Sequence, residues 1–162
     1  RTASPVVGYH LALFDGYPLV QLADGVGSGS TNYFNTSDAN LFLADGQWHF
    51  IAVTVDRDNP QGLVLYVDGH SRSFNPTGRQ GSLDNAENLL IGARYAGLGG
   101  GTFDGQIDEL ELFNRALSGS EVQSIYQADA AVKCKACVPM WPVCTDPIAS
   151  VDPRPTSVKA SC

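Results

Sequence analysis

Short segments that alternate apolar and polar side chains, separated by Asp-Gly pairs, run through most of this chain. Five such pairs occur, at 15–16, 24–25, 45–46, 68–69 and 104–105. Asp-Gly is a preferred centre for two-residue hairpin turns, because both turn positions need a positive φ. The pattern therefore predicts two antiparallel hairpins, residues 9–14 with 17–22 and Leu63–Val67 with His70–Phe74.

Three further strands are predicted between and after these hairpins. Trp48–Val55 is a long apolar run rich in β-branched residues, as expected for a central strand covered on both faces. Residues 89–92 form a short apolar strand. Residues 106–113 alternate two sets of side chains, and we expect the face with Leu110 and Leu112 to be the core face.

A helix start follows the last predicted strand. Ser118 and Glu121 have the spacing of a capping box, in which the two side chains bond backbone N–H groups of the first helical turn. A short helix to about Ala128 is expected to rest on Val122 and Tyr126. No other segment has helical periodicity, so the predicted fold class is all-β, an antiparallel β-sandwich or jelly roll with one short C-terminal helix.

Composition and charge fit one folded domain, residues 1–129. The chain of 162 residues is 43% hydrophobic and 17% charged, which is enough apolar material for a core. Residues 1–129 contain six Lys or Arg against fifteen Asp or Glu, whereas residues 130–162 contain four against two. The net negative charge of residues 1–129 argues against a nucleic-acid partner. It favours binding of divalent cations and of uncharged or cationic ligands.

The last part of the chain, residues 130–162, is rich in proline and cysteine, and we call it the C-terminal tail. It holds all four cysteines, Cys134, Cys137, Cys144 and Cys162. Two disulfides in an oxidising compartment fit better than zinc, because four-cysteine zinc sites contain two close pairs and the last two cysteines here are 18 positions apart. Three pairings are open, and Cys162 has the further option of bonding to a neighbouring chain. The tail is predicted to be a disulfide-rich extension or linker.

Two features bear on the location of the protein. No apolar run approaches the roughly 18 residues of a membrane-spanning helix. Asn35 begins the sequon Asn35-Thr36-Ser37, which makes it the candidate glycosylation site of a secreted or cell-surface protein. The chain starts at Arg1 rather than Met, and we expect it to be part of a longer protein.

Four stretches occur in an order and spacing typical of one family. They are Asp45-Gly46-Gln47-Trp48-His49-Phe50-Ile51-Ala52-Val53-Thr54-Val55, Leu65-Tyr66-Val67-Asp68-Gly69, Leu90-Ile91-Gly92-Ala93 and Asn114-Arg115-Ala116-Leu117-Ser118. Over about residues 8–129 the chain resembles the laminin G-like domains, a branch of the concanavalin A-like lectin/glucanase superfamily. The resemblance implies a β-sandwich with further strands ahead of the part matched by Gly8. We expect those strands to lie in an adjoining part of a larger protein; the alternative is that another segment or another chain supplies them.

The resemblance also implies a structural calcium ion with Asp108 as one ligand. Calcium takes several oxygen ligands; the resemblance implies that some come from the N-terminal segment, and Asp104 and backbone carbonyls near Gly105 are additional candidates. The alternative is that Asp108 accepts hydrogen bonds from neighbouring N–H groups or pairs with Arg115. An acidic group at the edge of a hydrophobic layer needs such a partner.

A catalytic function has to be considered because the superfamily that the chain resembles includes glycosidases, which use two carboxylates. Glu109 and Glu111 would share one strand face, but the Glu-x-Asp-x-x-Glu signature of the related glucanases is absent, and alternating Glu is common on solvent-facing strands. His10, His49 and His70 lack the spacing of a metal-binding helix, so each is expected to be a strand residue with a satisfied ring. We predict that the chain is not an enzyme.

Aromatic residues in or beside two glycine-rich loops are the candidate ligand contacts: Tyr33, Phe34 and Tyr95. Trp48, at the head of an apolar strand, is expected in the core instead. The resemblance implies a non-catalytic extracellular recognition or adhesion module that binds glycan or protein. The alternative is a structural building block of an extracellular filament or coat, linked to other copies or segments of its parent protein through the tail and the missing strands.

Overall fold

A computed structural model describes residues 7–26, 33–94, 101–136 and 159–161, with side chains for those of them up to residue 128. Within these ranges the chain is mostly β, with one α-helix and one short 3₁₀ helix. In chain order the elements are β1 (Val7–Phe14), β2 (Tyr17–Asp24), β3 (Tyr33–Asn35), the 3₁₀ helix (Ala39–Leu41), β4 (Trp48–Val55), β5 (Leu63–Val67), β6 (His70–Phe74), β7 (Gln106–Asp108), α1 (Gly119–Ala136) and β8 (Lys159–Ser161).

The strands form two antiparallel sheets that pack against each other. The first sheet has the order β1-β2-β3, and the second has the order β6-β5-β4-β8-β7. Val20 and Leu22 from β2 pack with Leu63 and Leu65 from β5 in one core cluster. A second cluster joins the 3₁₀ helix to the second sheet through Leu41, Leu43, Ile51 and Val67. This arrangement agrees with the predicted β-sandwich.

Both predicted hairpins are confirmed, with β1 paired to β2 and β5 paired to β6. The turn residues all have positive φ, 51° and 82° at Asp15 and Gly16, and 49° and 86° at Asp68 and Gly69. These are the backbone conformations that a two-residue turn between twisted strands requires. The local turn chemistry therefore sets the register of both hairpins.

The capping box at the start of α1 is also confirmed. Glu121 N donates to Ser118 Oγ at 3.3 Å, and Ser118 N donates to Glu121 Oε2 at 2.8 Å. The helix runs to Ala136, beyond its predicted end near Ala128. Neither Gly nor Pro interrupts residues 120–136, so nothing in the sequence stops the helix earlier.

The helix lies on the outer face of the second sheet. The ring of Tyr126 lies 5.5 Å from the ring of Phe50 on β4, and Val122 is 3% exposed. Phe50 alternates with Ile51, which faces the core between the sheets. No helix in the described ranges is long and apolar enough to cross a membrane.

Two of the strand predictions are wrong: one strand is not formed, and the other is shorter than predicted and turns its other face to the core. Residues 89–92 form no strand. The strand predicted over 106–113 ends at Asp108, because Glu109 has a φ of 51°. Ile107 packs on the core, whereas Leu112 is 66% exposed. The core face of β7 is therefore the face opposite to the predicted one, since successive residues of a strand point to opposite faces.

A strand from the C-terminal tail completes the second sheet. β8 lies between β4 and β7, with Lys159 opposite both Phe50 and Asp108. The tail therefore contributes to the sandwich rather than only extending from it. The side chain of Cys134, and the whole of Cys137, Cys144 and Cys162, lie outside what the structure describes, so the disulfides stay a prediction.

Candidate functional site

The outer face of the first sheet carries three polar side chains that cross all its strands. His10 on β1 lies opposite Gln21 on β2, and Gln21 lies opposite Tyr33 on β3. Residues paired in this way project to the same side of a sheet. Val20 and Leu22, the neighbours of Gln21 in sequence, face the core. His10, Gln21 and Tyr33 therefore form a polar row on the face away from the core.

Arg94 reaches this polar row from a distant part of the chain. Its Nη2 atom donates to Tyr33 Oη at 3.0 Å and, more weakly, to Gln21 Oε1 at 3.5 Å. The backbone N of Arg94 donates to Gly101 O at 2.9 Å. Gly101 has a φ of 73°, and a Cβ atom there would meet Arg94 Cβ at 2.9 Å. The glycine therefore allows the close approach that positions the arginine.

Two buried atoms of the polar row, His10 Nδ1 and Gln21 Nε2, have no hydrogen-bond partner within the described part of the chain. Gln21 is 4% exposed. Buried polar atoms in folded proteins nearly always have a partner, which can be protein, water or ligand. A water molecule or a ligand group is therefore a candidate partner for these two atoms.

The two atoms need a partner of a definite kind. Burial, and after it the charge of Arg94, hold the pKa of His10 below its usual value, so the ring is neutral at physiological pH. Nδ1 of a neutral ring accepts a hydrogen bond when Nε2 carries the proton, whereas Gln21 Nε2 can only donate. A single hydroxyl group can donate to the first atom and accept from the second.

The aromatic residues predicted to contact a ligand do not share one face in the structure. Tyr33 belongs to the polar row. Phe34 faces the core cluster of the two sheets, with its ring 6.2 Å from the ring of Phe74. Tyr33 and Phe34 therefore lie on opposite faces of β3 and cannot contact one ligand on a single face. Tyr95 lies outside the described residues.

Asn35, the candidate glycosylation site, lies on the same outer face as Tyr33. It is exposed and lies opposite Leu19 of β2. An exposed asparagine at the end of a short strand is accessible for modification. Glycosylation stays a prediction.

His49 forms a second polar cluster, on the second sheet. Its Nδ1 lies 2.6 Å from Asp68 Oδ2, and its Nε2 lies 2.8 Å from Asp45 Oδ1. Asp68 Oδ1 also accepts from Phe50 N at 2.9 Å. Burial disfavours the charged ring, but the bonds to Asp68 and Asp45 outweigh this effect and raise the pKa of His49 above its usual value. We call Asp45, His49 and Asp68 the His49 clamp.

The His49 clamp is a structural feature. It ties the loop before β4 to the turn between β5 and β6, and both ring nitrogens have a carboxylate partner. The expectation of a satisfied ring is thus confirmed for His49. It does not hold for His10 within the described residues, and His70 is exposed.

The proposed calcium ligands are both on the surface. Asp108 is exposed, and its Oδ1 accepts from Glu109 N at 2.9 Å. This is the local hydrogen bond weighed above as the alternative to a metal. Asp104 is exposed as well. Among the described residues, no group of three or more His, Cys, Asp or Glu side chains is arranged so that it could hold a metal ion. Calcium binding stays a prediction, and Asp108 is at an exposed position rather than at the buried position that was expected.

The carboxylate pair considered for catalysis does not lie on a strand. β7 ends at Asp108, so Glu109 and Glu111 do not share a strand face as expected. Trp48 is 41% exposed, and the prediction that it lies in the core is wrong. It occupies the first position of β4, where the sheet ends.

The sequence contained part of the signal for the polar row. A two-residue turn at Asp15-Gly16 places His10 opposite Gln21, and Gln21 interrupts an otherwise apolar run from Pro18 to Ala23. The polar row was nevertheless not among the predicted sites. Arg94 is 73 positions away from Gln21, and no local pattern indicates their contact.

Comparison with known families places most of these residues in one domain. The laminin G family model that is described as the concanavalin A-like lectin/glucanases superfamily matches residues 2–123. The match includes the polar row, Arg94 and the His49 clamp, and it ends before the C-terminal tail. A search of curated proteins and a search of solved structures found no match.

Proposed function

Because the chain belongs to the concanavalin A-like lectin/glucanase superfamily, we propose that it is a non-catalytic recognition module that binds a glycan at the polar row. Laminin G-like domains generally bind glycans or proteins, and they are typically extracellular. The proposal includes an extracellular or cell-surface location and a larger parent protein.

One observation carries the proposal: His10 and Gln21 lie opposite each other on one sheet face, and an acceptor and a donor in their side chains, His10 Nδ1 and Gln21 Nε2, have no partner among the described residues. Hydroxyl groups are the chemistry that serves both atoms at once. Sugars present several hydroxyls in a row, and Tyr33 adds an aromatic ring at the end of the polar row. A buried water molecule is the competing occupant, because it offers the same hydrogen bonds.

Two sequence features support a ligand at this place. The glycine-rich stretch between β2 and β3 leads directly into Tyr33, and the one between Arg94 and Gly101 follows directly on Arg94. Loops that join the elements of a site often carry its specificity. The net charge of −7 favours a neutral glycan over an acidic one.

A glycan array probed with the purified chain tests the proposal. We expect selective binding of neutral oligosaccharides that other sugars in solution compete away. An array without any binding, obtained with protein that is folded by circular dichroism, would leave water as the occupant and contradict the proposal.

Hydrolysis is the less supported alternative. The superfamily includes glycosidases, whereas laminin G-like domains are generally non-catalytic. The polar row contains no carboxylate, and retaining and inverting glycosidases both need a pair of them. We expect no new reducing ends when the protein is incubated with β-glucans.

Calcium binding is a separate proposal. The family resemblance supports it at Asp108 and Asp104, and the structure supplies only two exposed carboxylates there. Calorimetric titration with Ca²⁺, with Asp108→Ala as the control variant, measures it directly. Absence of both heat and thermal stabilisation would reject it.

Assembly into an extracellular filament or coat is the second candidate function. The position of β8 favours it, because a strand from the tail sits inside the sheet of the body. A ladder of disulfide-linked species on a non-reducing gel, together with a silent glycan array, would favour assembly over recognition.

A further inference from the structure

The five Asp-Gly pairs of this chain are held by the fold in different ways. Asp-Gly is a reactive setting for an aspartate, because glycine has no Cβ atom to shield its backbone nitrogen. That nitrogen can attack the aspartate side chain and redirect the main chain through it. The attack requires the side chain and the peptide to turn towards each other, so restraint by the fold decides which pairs react.

Three of the pairs have a carboxylate that other groups hold in place. Asp24 Oδ1 accepts from Val26 N and Asp24 Oδ2 accepts from Gly81 N, each at 3.2 Å. The other two carboxylates are those of the His49 clamp, and both are bonded to its ring. A side chain held in this way has to break a hydrogen bond before it can turn towards the next peptide nitrogen.

Two of these carboxylates are also held in the unreactive, ionised form. The reaction expels a hydroxyl group of the side chain as water, so it proceeds from the neutral acid. Loss of solvent raises the pKa of Asp24, but hydrogen bonds from two backbone N–H groups outweigh it and hold the pKa below its usual value. The bond from His49, and after it the bond from Gln47 N, lower the pKa of Asp45. Both side chains are therefore in the acid form less often than an unrestrained aspartate.

The pair Asp15-Gly16 is restrained through its backbone. It forms the two-residue turn between β1 and β2, whose strand pairs begin on either side of it. Gly16 O accepts from Leu43 N at 2.8 Å, and the ring of Phe42 lies where a Cβ atom of Gly16 would be. Rotation of the peptide between Asp15 and Gly16 would therefore open the end of the hairpin.

Asp104-Gly105 differs from the other four pairs. Both residues are exposed, and neither belongs to a helix or a strand. Within the part of the chain that the structure describes, the carboxylate of Asp104 has no hydrogen bond or ion pair. This pair therefore lacks both kinds of restraint found at the others, a held carboxylate and a closed turn.

We propose that Asp104 is a site of spontaneous modification to isoaspartate, and that it reacts in preference to the other four Asp-Gly aspartates. Gly105 N forms a bond to Asp104 Cγ, and the side-chain hydroxyl leaves with the amide proton as water. The resulting succinimide ring takes up one water molecule at either carbonyl carbon. Opening at Cγ breaks the new bond and restores aspartate. Opening at the α-carbonyl carbon breaks the original peptide bond and leaves the main chain linked through the side chain.

The position of the modified link gives the reaction a structural consequence. Isoaspartate adds one atom to the main chain, and β7 begins at Gln106, directly after Gly105. Ile107 of β7 packs on the core cluster that joins the 3₁₀ helix to the second sheet. The extra atom has to be accommodated at the start of β7, so isoaspartate is expected to lower the thermal stability of the domain. This inference is independent of glycan binding at the polar row.

Ageing the folded full chain at physiological temperature and pH tests the proposal. Peptide mapping, after labelling with an isoaspartyl methyltransferase, measures isoaspartate at each pair over time. We expect it to form at Asp104 about tenfold faster than at any other pair, a factor that corresponds to ~1.4 kcal/mol in the barrier. Even formation over the five pairs, earlier formation at another pair, or its absence from Asp104 would overturn the proposal.

The same experiment in guanidinium chloride shows whether the fold makes the selection. In the unfolded chain all five pairs present the same reacting atoms without restraint, so isoaspartate should form at each of them at a comparable rate. If Asp104 keeps its lead in the unfolded chain, its neighbours in sequence decide the selectivity, and selection by the fold is wrong.

Asp104→Glu is the matched variant for the structural consequence. It keeps the charge at an exposed position and lengthens the side chain by one methylene, so the attack would have to close a larger ring, which forms far more slowly. The aged variant should keep its original thermal midpoint, whereas the aged original chain should lose stability as isoaspartate accumulates. Equal losses in the two proteins would contradict an effect of Asp104 on β7.

Discussion

The two ends of the second sheet have similar apolar sequences but very different structures. On the β5 side, Leu63 and Leu65 are 0% exposed. Beyond the end of β7, Leu112 lies in a segment also predicted as a strand, yet it is 66% exposed, and Ile91, in the other segment wrongly predicted as a strand, is 60% exposed. β5 has a strand on each side, whereas β7 has a partner on one side only among the described strands, β8. An apolar alternation therefore becomes a buried strand only where neighbouring strands satisfy its backbone.

The largest expected effect comes from truncating a matched leucine on each side of this comparison. Leu65→Ala should lower the free energy of unfolding by about 2–5 kcal/mol, because it removes fully buried methyl groups. Leu112→Ala should change it by less than about 0.5 kcal/mol, as is usual for exposed positions. Urea denaturation followed by tryptophan fluorescence measures both. Equal losses would show that Leu112 is buried in solution and would break the comparison.

The His49 clamp should give the next largest effect, and it belongs to the β5 side. His49→Gln should destabilise the fold by about 1–3 kcal/mol below pH 6, where a charged ring bonds both carboxylates. A raised pKa in the folded state means that this stabilisation is fully present below the unfolded value near 6.5 and is lost as the pH rises through the folded pKa.

The difference in unfolding free energy between the original chain and His49→Gln isolates this contribution. The pKa of His10 is lowered in the folded state, so its own contribution has the opposite sign and is lost as the pH falls. We expect the difference between the two proteins to shrink from pH 6 to pH 9. A difference that grows over this interval would show that the ring of His49 is neutral in the clamp.

The helix cap should give a smaller effect. Ser118→Ala removes the acceptor for Glu121 N and should cost about 1 kcal/mol. Gln127→Ala, at an exposed position of the same helix, should change stability by less than about 0.5 kcal/mol. Thermal unfolding followed by circular dichroism compares the two variants. A loss as large as that of Leu65→Ala would mean that α1 is part of the core.

The smallest effect on the free energy of unfolding is expected for the exposed ion pair between Arg115 and Glu121 at the start of the helix. Arg115, and after it Ser118, hold the pKa of Glu121 at about 2. A lowered pKa means stabilisation above the unfolded value that is lost as the pH falls through about 2. Arg115→Gln should raise the pKa of Glu121 in an NMR titration, with little change in unfolding at pH 7, because exposed pairs contribute little. An unchanged pKa would contradict the pairing seen at 2.6 Å.

The sequence predicts the parts of the fold that local chemistry decides. Asp15-Gly16 and Asp68-Gly69 specify their own turns, and Ser118 with Glu121 specifies its own helix start, because the groups involved lie within four residues. The extent of β7 could not be predicted in this way. β7 ends where Glu109 adopts a φ of 51°, and its described partner strand, β8, is distant in sequence and falls outside the family pattern.

The same distinction holds for the candidate sites. The pairing of His10 with Gln21 follows from one hairpin and was within reach of the sequence. Arg94 comes to them through the bridge between Ala93 and Thr102, a contact that no periodicity encodes. Phe34 was expected beside Tyr33 because they are adjacent in sequence, but adjacent residues of a strand face opposite ways.

Glycan binding by Gln21→Met tests the central claim, recognition at the polar row, most directly. Methionine keeps the volume of glutamine and removes the unpartnered amide donor. With an oligosaccharide selected from the array, calorimetry should show affinity weakened by about tenfold, the cost of one hydrogen bond to a bound hydroxyl. The exposed control Gln127→Met should bind as the original chain does. Unchanged affinity in Gln21→Met would contradict a glycan site at the polar row.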